Sequence, residues 1–565
     1  MRIAVRDGIE LSANVFRPSE PGRFPAILIR TPYGKGTALS VYYRSFVAEG
    51  YAVVIEDVRG RHASEGEFEP LTQEVADGED TIAWVAYQPW SNRRVGMMGA
   101  SYVGIVQWKA ALSGSPYLKA IFPAVSGSDE YLDRFYSPGG ALKLGHRLEW
   151  ISENLKIPGY RADFARFIRY LPLRGADRAA TGGTVDFFQE ALDHPTYDAF
   201  WRSISTREHL DRVRAPVFSA GGWYDNFVES DLEAFRLMRA QGRVERLIIG
   251  PWAHNFSDTF DGVFSDGARV PLRPLQLQWF DYWLKRAAPN PRGGPAAGPP
   301  LRIFVMGANR WRDEEEWPLR RAVPLRLYLA ARHGANSVAG DGRLQDKPQR
   351  KASPDRFVYD PLDPVPTTGG AICCNPKLLP WGPVDQRNVE KRRDVLVYTS
   401  SPLKRPMEVT GPVRVVLNVS TSVPDTDFTA KLVDVFPDGR ARNLCDGLLR
   451  LRYRESLARA AVSRPGQIYA IAIDAGVTSN EFGKGHRIRL EISSSNFPRF
   501  DRNPNTGRPI ADERVLRQAS QAVHHDRSMP SYLLLPTVPA KASQPDADRA
   551  EEPGEAPRQS RNTRK

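Results

Sequence analysis

Val95-Gly96-Met97-Met98-Gly99-Ala100-Ser101-Tyr102-Val103-Gly104 is the stretch that decides the fold. A short apolar run ends in Gly-x-Ser, and a helical sequence, Tyr102 to Leu112, follows at once. Strand, sharp turn and helix is the setting a nucleophile elbow requires, with the serine at the turn and its hydroxyl above the sheet. Gly99, Ala100 and Gly104 are small enough to let backbone pass close by. The pattern departs from G-x-S-x-G, because Val103 takes the second glycine position and Gly104 comes one residue later. Taken alone, it fits a structural turn serine as well as a nucleophile, so the surroundings must decide.

Around this stretch the first 125 or so residues alternate strand and helix. Strand-like runs are Ile9 to Phe16, Ala26 to Arg30, Tyr51 to Val58, Val95 to Gly99 and Leu118 to Pro123, with helices at Val41 to Glu49 and Glu74 to Tyr87. Such alternation predicts a mostly parallel sheet covered on both faces. From 127 to 208 apolar residues recur at helical spacing, as in Tyr160 to Leu171 and Phe187 to Leu192, which reads as a helical insertion. The strand–helix rhythm resumes from 209 to 321, with strands at Pro216 to Ala220, Leu247 to Gly250 and Leu301 to Met306. A Pro/Gly-rich loop, Pro289 to Pro300, precedes the last of these. Residues 322–540 read as all-β, with runs such as Val413 to Val419, Phe428 to Val435 and His486 to Ser493 between turns, the texture of a sandwich or jelly roll. The polar tail 541–565 cannot bury a core and is expected to be disordered.

If Ser101 is a nucleophile in an α/β sheet, an acid and a histidine should follow it in that order, each on a loop after a strand. Pro216-Val217-Phe218-Ser219-Ala220 leads to Asp225, and Leu247-Ile248-Ile249-Gly250 leads to His254. The two stand 29 residues apart, about one strand–helix–strand unit. Each alone has a plainer reading, Asp225 as a helix cap and His254 as a structural histidine. Order, loop placement and spacing together select them as orienting acid and general base. An oxyanion needs donors as well. One is the backbone N–H of Tyr102; the other comes from the loop Arg30 to Lys35, where Tyr33 either donates its phenol or packs as an aromatic.

Composition narrows the class. With 41% hydrophobic and 25% charged residues, the chain is typical of globular proteins. It has no run of the ~18 apolar residues that a membrane span needs. The opening Met1-Arg2-Ile3-Ala4-Val5-Arg6 lacks a signal-peptide stretch, which predicts a cytoplasmic enzyme with no membrane association. The net charge of +12 is spread as singles and pairs without a nucleic-acid motif, so it reads as a solvated basic surface rather than a nucleic-acid site. Cys373 and Cys374 are adjacent and Cys445 is distant, so neither a disulfide framework nor a metal site is expected. No metal and no cofactor are predicted.

At these residues the chain resembles the cocaine esterase/X-Pro dipeptidyl-peptidase group of serine hydrolases. The segments that carry the likeness include Arg6-Asp7-Gly8, Pro32-Tyr33, Ser64-Glu65-Gly66, Gly99-x-Ser101-Tyr102-x-Gly104, Gly222-Trp223-Tyr224-Asp225 and Gly250-Pro251-Trp252-x-His254. Further on they include Asp425 to Lys431 and Ser494-Ser495-Asn496-Phe497-Pro498, so that the likeness runs to about Pro539. The resemblance implies an α/β-hydrolase domain (1–126 and 209–321), an inserted helical cap (127–208) and a C-terminal jelly roll (322–540). It implies the triad Ser101, Asp225 and His254, and an oxyanion hole made by Tyr33 and the Tyr102 amide. Phe135, Trp150 and Phe227 match positions that surround the acyl group in the esterases of the group, whereas Cys373-Cys374 stand where those have leucine and phenylalanine.

The implied activity is hydrolysis of a small-molecule carboxylic ester or amide through an acyl-enzyme, with a bulky or aromatic acyl group; a homodimer is the one assembly considered. The rival is an X-Pro dipeptidyl-peptidase or related acylase; the exopeptidase needs a buried acidic or polar group for the substrate's free N-terminus. The similar α-amino acid ester hydrolases carry acids two and three positions after the catalytic aspartate, where this chain has Phe227 and Val228. A non-catalytic glycan-binding protein is the third reading, since jelly rolls often bind glycans.

Overall fold

Strands apolar on both faces are stable only when both faces are covered, and the first half of the chain is built from such strands. The computed structural model describes residues 1–256, 260, 262–286 and 294–539. Ten strands form one sheet: β1 (Arg2–Ala4), β2 (Glu10–Phe16), β3 (Phe24–Thr31), β4 (Ala52–Asp57), β5 (Ser91–Ala100), β6 (Leu118–Ala124), β7 (Val217–Gly222), β8 (Glu245–Gly250), β9 (Leu301–Val305) and β10 (Arg310–Glu314). Their spatial order is β1-β2-β4-β3-β5-β6-β7-β8-β9-β10. Pairing is parallel from β4 across to β9 and antiparallel at both edges.

Helices cover both faces: α1 (Val41–Ala48), α2 (Glu74–Tyr87) and α3 (Tyr102–Ala111) follow β3, β4 and β5. Because successive side chains of a strand point to opposite faces, neighbours enter different cores. Leu28, Val54 and Met97 pack with residues of α2 and α3, such as Ile82 and Val106. Ile27, Val53 and Met98 pack on the other side with Phe46 of α1 and with Trp279 and Phe280.

Between β6 and β7 the chain leaves the sheet and forms α4 (Leu144–Leu155), α5 (Phe164–Phe167), α6 (Ala176–Thr181), α7 (Asp186–Asp193) and α8 (Ala199–Ile204). This cap has its own core, including Leu148, Phe188 and Trp201. α9 (Val228–Ala240) and α10 (Leu272–Phe280) then complete the sheet's cover. Beyond it an eleven-stranded, almost wholly antiparallel sheet runs from Val323–Ala330 to Tyr532–Val538. Its first and last strands pair with one another, Leu325 opposite Leu535. Val415, Leu417, Leu432, Ile473 and Leu490 fill its interior. The architecture is an α/β-hydrolase fold with an inserted helical cap and a C-terminal jelly roll.

Some expectations need correction. The edge strands β1 and β10 were not anticipated, being three and five residues long with one buried residue each, Ile3 and Glu314, too few to give a periodicity to read. The helix expected over Tyr160 to Leu171 contracts to the four residues of α5, started by Asp163, whose carboxylate accepts the Ala165 N–H at 3.0 Å. The tail 541–565, residue 540 and residues 289–293 of the Pro/Gly-rich loop lie outside the described residues. No helix among the described residues is long and apolar enough to cross a membrane. The basic residues are not all solvated: Arg30, Arg134, Arg147 and Arg450 are buried.

Arg30 is the clearest case. It is fully buried on β3 and contacts Glu56 and Glu74, each at 2.6 Å, with Asp77 at 3.9 Å. Glu74 also accepts the phenolic proton of Tyr102 at 2.8 Å, which ties the residue after Ser101 to the charge cluster. Removing one member strands the others without compensation. Glu56→Ala is therefore expected to destabilise the first sheet and its helices by about 3–5 kcal/mol, read as a fall in the denaturation midpoint of the purified protein. A loss below about 1 kcal/mol would mean that the cluster is dispensable.

Candidate active site

The turn after β5 places Ser101 in a conformation that L-residues seldom adopt, φ 59° and ψ −130°. Two close approaches hold it. A Cβ on Gly99, itself at φ +145°, would stand 2.2 Å from Val103 Cγ1. A Cβ on Gly104 would stand 2.6 Å from the Ser126 Cβ, so α3 can lie against the chain after β6 only because that side chain is absent. The departure from G-x-S-x-G thus has a cause, since Gly104 is where backbone approach is closest to the following segment. Ser101 N–H donates to the Ala124 carbonyl at 2.9 Å, which anchors the turn on β6. Tyr102 opens α3, and the first amides of a helix have no acceptor within it.

Asp225 and His254 come from the loops after β7 and β8. Trp223 N–H donates to Gly250 O and Tyr224 N–H to Trp252 O, both at 2.9 Å, and these bonds lace the two loops together. Asp225 is fully buried. One carboxylate oxygen accepts the Phe227 N–H at 3.0 Å, and the other meets His254 Nδ1 at 2.6 Å. An ionised carboxylate only accepts, so Nδ1 carries the hydrogen and Nε2 is left as a basic lone pair. Among the described residues no hydrogen bond joins the Ser101 hydroxyl to that imidazole, a contact that in such sites often tightens only once substrate is bound.

Tyr33 lies on the loop after β3. Arg61 and His62 both contact the Pro32 carbonyl at 3.1 Å, and Lys35 N–H donates to Asp57 at 2.6 Å, so the loop is held on both sides of the tyrosine. Trp150 Nε1 donates to the Tyr33 hydroxyl at 3.2 Å. With its oxygen accepting from Trp150, the phenol keeps its own proton to donate elsewhere. The Tyr102 ring stacks on Trp150, centres 6.2 Å apart and planes 8° apart.

Ser101, Tyr102, Phe135, Trp150 and Phe227 line a single cavity. Tyr33 and His254 sit beside it rather than in its lining: Tyr33 is held by Trp150, and the Phe227 ring centre is 5.8 Å from that of His254. The sequence-predicted residues are therefore gathered in one place. Other lining residues escaped prediction: Arg134, His146, Arg147 and Phe187. A signal existed for two of them, since Arg134 precedes Phe135 and Arg147 stands one helical turn before Trp150 on α4, hence on the same face.

Cys373 and Cys374 also line the cavity. The two neighbours are bonded to each other, whereas Cys445 is free and buried. No long-range framework results; the bond closes only the ring made by two adjacent residues. Ile372 N–H donates to Tyr224 O at 3.2 Å, so this loop of the second sheet is fastened to the loop that carries Asp225.

Comparison with known proteins agrees with the geometry. A family model described as X-Pro dipeptidyl-peptidase (S15 family) matches residues 7–255, and one described as X-Pro dipeptidyl-peptidase C-terminal non-catalytic domain matches residues 294–534. The cocaine esterase of Rhodococcus sp. (strain MB1 Bresler) is 40% identical over 95% of this chain and 97% of its own. Among solved structures, an aminopeptidase from a Thaumarchaeota archaeon aligns with TM-score 0.82 and 26% identity, and an α-amino acid ester hydrolase with TM-score 0.81 and 26% identity. Each covers 95% of this chain and is covered over 96% of its own.

Gly99→Ala tests the elbow without touching a polar group. The added methyl collides with Val103 and forces the turn to shift, so labelling by a fluorophosphonate should slow at least tenfold, with about 1–3 kcal/mol of stability lost. Unchanged labelling would mean that the turn does not set the serine's reactivity.

Proposed function

The chain belongs to the X-Pro dipeptidyl-peptidase (S15) family of serine hydrolases, and from that membership we propose that it cleaves carboxylic esters of small molecules through an acyl-enzyme on Ser101. The observation that carries the reading is the 2.6 Å contact from buried Asp225 to His254, on loops laced to one another at the strand ends where the Ser101 elbow also lies. In the proposed division of labour, residues 1–126 and 209–321 supply the chemistry. The cap, 127–208, and the β domain, 322–540, enclose the substrate.

His254 Nε2 takes the Ser101 proton as the hydroxyl adds to the carbonyl, and Asp225 holds the imidazole's tautomer and favours the imidazolium. The Tyr102 amide and the Tyr33 phenol donate to the oxyanion. The proton then passes to the leaving group, and water repeats the sequence on the acyl-enzyme. Phe135, Trp150 and Phe227 receive the acyl group, where flat rings favour an aromatic or bulky apolar surface.

Ester cleavage is preferred over X-Pro peptide cleavage on one observation. A dipeptidyl-peptidase must hold a free ammonium, yet no carboxylate is among the described residues that line the cavity. Phe227 and Val228 occupy the positions where acids would serve that purpose.

Ser101→Ala should abolish both the product burst with a 4-nitrophenyl ester and fluorophosphonate labelling; persistence of either would reject Ser101 as nucleophile. Tyr33→Phe should lower kcat by about 10²–10³-fold with little change in KM. An effect confined to KM would assign Tyr33 to binding alone.

A further inference from the structure

Two guanidinium groups line the cavity beside Ser101, and neither has a carboxylate partner. Arg134 and Arg147 are 5% and 8% exposed. Arg147 donates from Nε and Nη2 to the Arg134 carbonyl at 3.3 and 3.1 Å, and its Cζ lies 4.6 Å from the Phe135 ring centre. Arg134 lies against the Tyr102 ring, its Cζ 5.9 Å from the centre. Charges withdrawn from water this far are normally paired, because an isolated buried ion is costly.

The nearby acids are committed elsewhere. Glu130 pairs with Lys109 at 2.7 Å and acts on Arg134 only from beyond ion-pair distance. Asp133 accepts the Ser128 and Asp129 amides at 2.9 and 2.7 Å. Glu149, two residues after Arg147, is pushed up to about 9 by burial and by Glu153, so it is uncharged at neutral pH and cannot neutralise its neighbour. Arg147 itself is held down to about 9 by burial and by the Arg134 guanidinium. His146, buried in the same lining with Nε2 unpartnered, is held well below its usual range by burial and by Arg147, and stays neutral. The cavity therefore presents two cations, a neutral imidazole and aromatic walls, an environment short of one anion.

We infer that Arg134 and Arg147 form a carboxylate subsite, and that the acyl group of the natural substrate is itself anionic, as in a half-ester of a dicarboxylic acid. The inference rests on Ser101 being the nucleophile. A guanidinium is suited to such a ligand because its planar fork matches a carboxylate's two oxygens. Placement on the acyl side follows from the protonation step. The leaving group must meet His254, which stands beside the cavity, whereas the arginines share the lining with Phe135, Trp150 and Phe227, the residues proposed to receive the acyl group. In the reaction Ser101 Oγ bonds to the carbonyl carbon, the bond to the leaving alkoxide breaks, and His254 returns the proton to that alkoxide. Water then releases the dicarboxylate and regenerates the serine. The distal carboxylate is a spectator, held by the arginines throughout.

Binding to the Ser101→Ala protein tests the subsite without turnover. Mono(4-nitrophenyl) glutarate is compared with its neutral isostere, 4-nitrophenyl 5-methylhexanoate, by calorimetric titration. The anionic ester should bind about 10- to 100-fold more tightly. Arg147→Met and Arg134→Met should each reduce that ratio, and Arg147→Lys, which keeps the charge and the packing stem, should retain part of it. Equal affinities, or a ratio untouched by both methionine variants, would overturn the inference while leaving fluorophosphonate labelling of the native enzyme, the test of the nucleophile, unaffected. A third ligand, 4-(butyryloxy)benzoate, carries its carboxylate on the leaving group. Arginine-dependent preference for that ligand over the glutarate ester would also overturn the acyl-side assignment.

Discussion

A serine held at φ 59° where a parallel strand gives way to a helix is the constraint on which the rest of this structure turns. The conformation is disfavoured for an L-residue and persists only because its neighbours leave no alternative. β5 fixes the serine from below, β6 accepts its amide, and Gly99 and Gly104 yield the space that side chains would claim. The Arg30 cluster acts on the same point from behind, since Glu74 grips both that guanidinium and the Tyr102 phenol. Tyr102 thus serves the molecule twice. Its amide opens the helix beside the nucleophile, and its hydroxyl is anchored in a buried ionic network, so the reactive turn is braced by the interior of the sheet.

Much of this was legible in the amino-acid order, and the reasons are specific. Val95 to Met98 and Leu247 to Ile249 are apolar runs bounded by turns, and in a two-sided parallel sheet such runs mark strands whatever their partners. Because loops at the strand ends converge, chain order, loop placement and spacing together could select Asp225 and His254 as candidates. β1 and β10 escaped because a short edge strand has too little burial to imprint a pattern on its residues. The helix expected over Tyr160 to Leu171 shrank because apolar spacing reports which residues face inward, not whether the backbone between them stays helical. Arg134 and Arg147 were hidden for a different reason. In a chain of net charge +12, an arginine is read as solvated unless something in the sequence marks it as buried, and cap burial is a product of tertiary packing. The Cys373–Cys374 bond was not read because the cysteines were weighed only for a framework or a metal site, and a bond between neighbours is neither.

The cavity also clarifies how one scaffold can discriminate among acyl donors. In the proposed reading, the atoms that perform bond-making sit on strand ends of the first sheet, while the cavity walls come chiefly from the cap and from one loop of the second sheet. Aromatic faces there select for flat apolar surface, whereas a pair of guanidiniums selects for anionic charge. Recognition is thereby separated from reactivity, and each can change without disturbing the other.

The seam between the two sheets carries this separation further. Ile372 is fastened to Tyr224, the Tyr224 hydroxyl donates to the Asn443 carbonyl at 3.2 Å, and Gly145 of the cap donates to the Pro498 carbonyl at 2.8 Å. The carboxy-terminal half thus supplies part of the cavity wall through Cys373 and Cys374. Exchange of that one loop would reshape the wall while leaving the strand ends of the first sheet as they are.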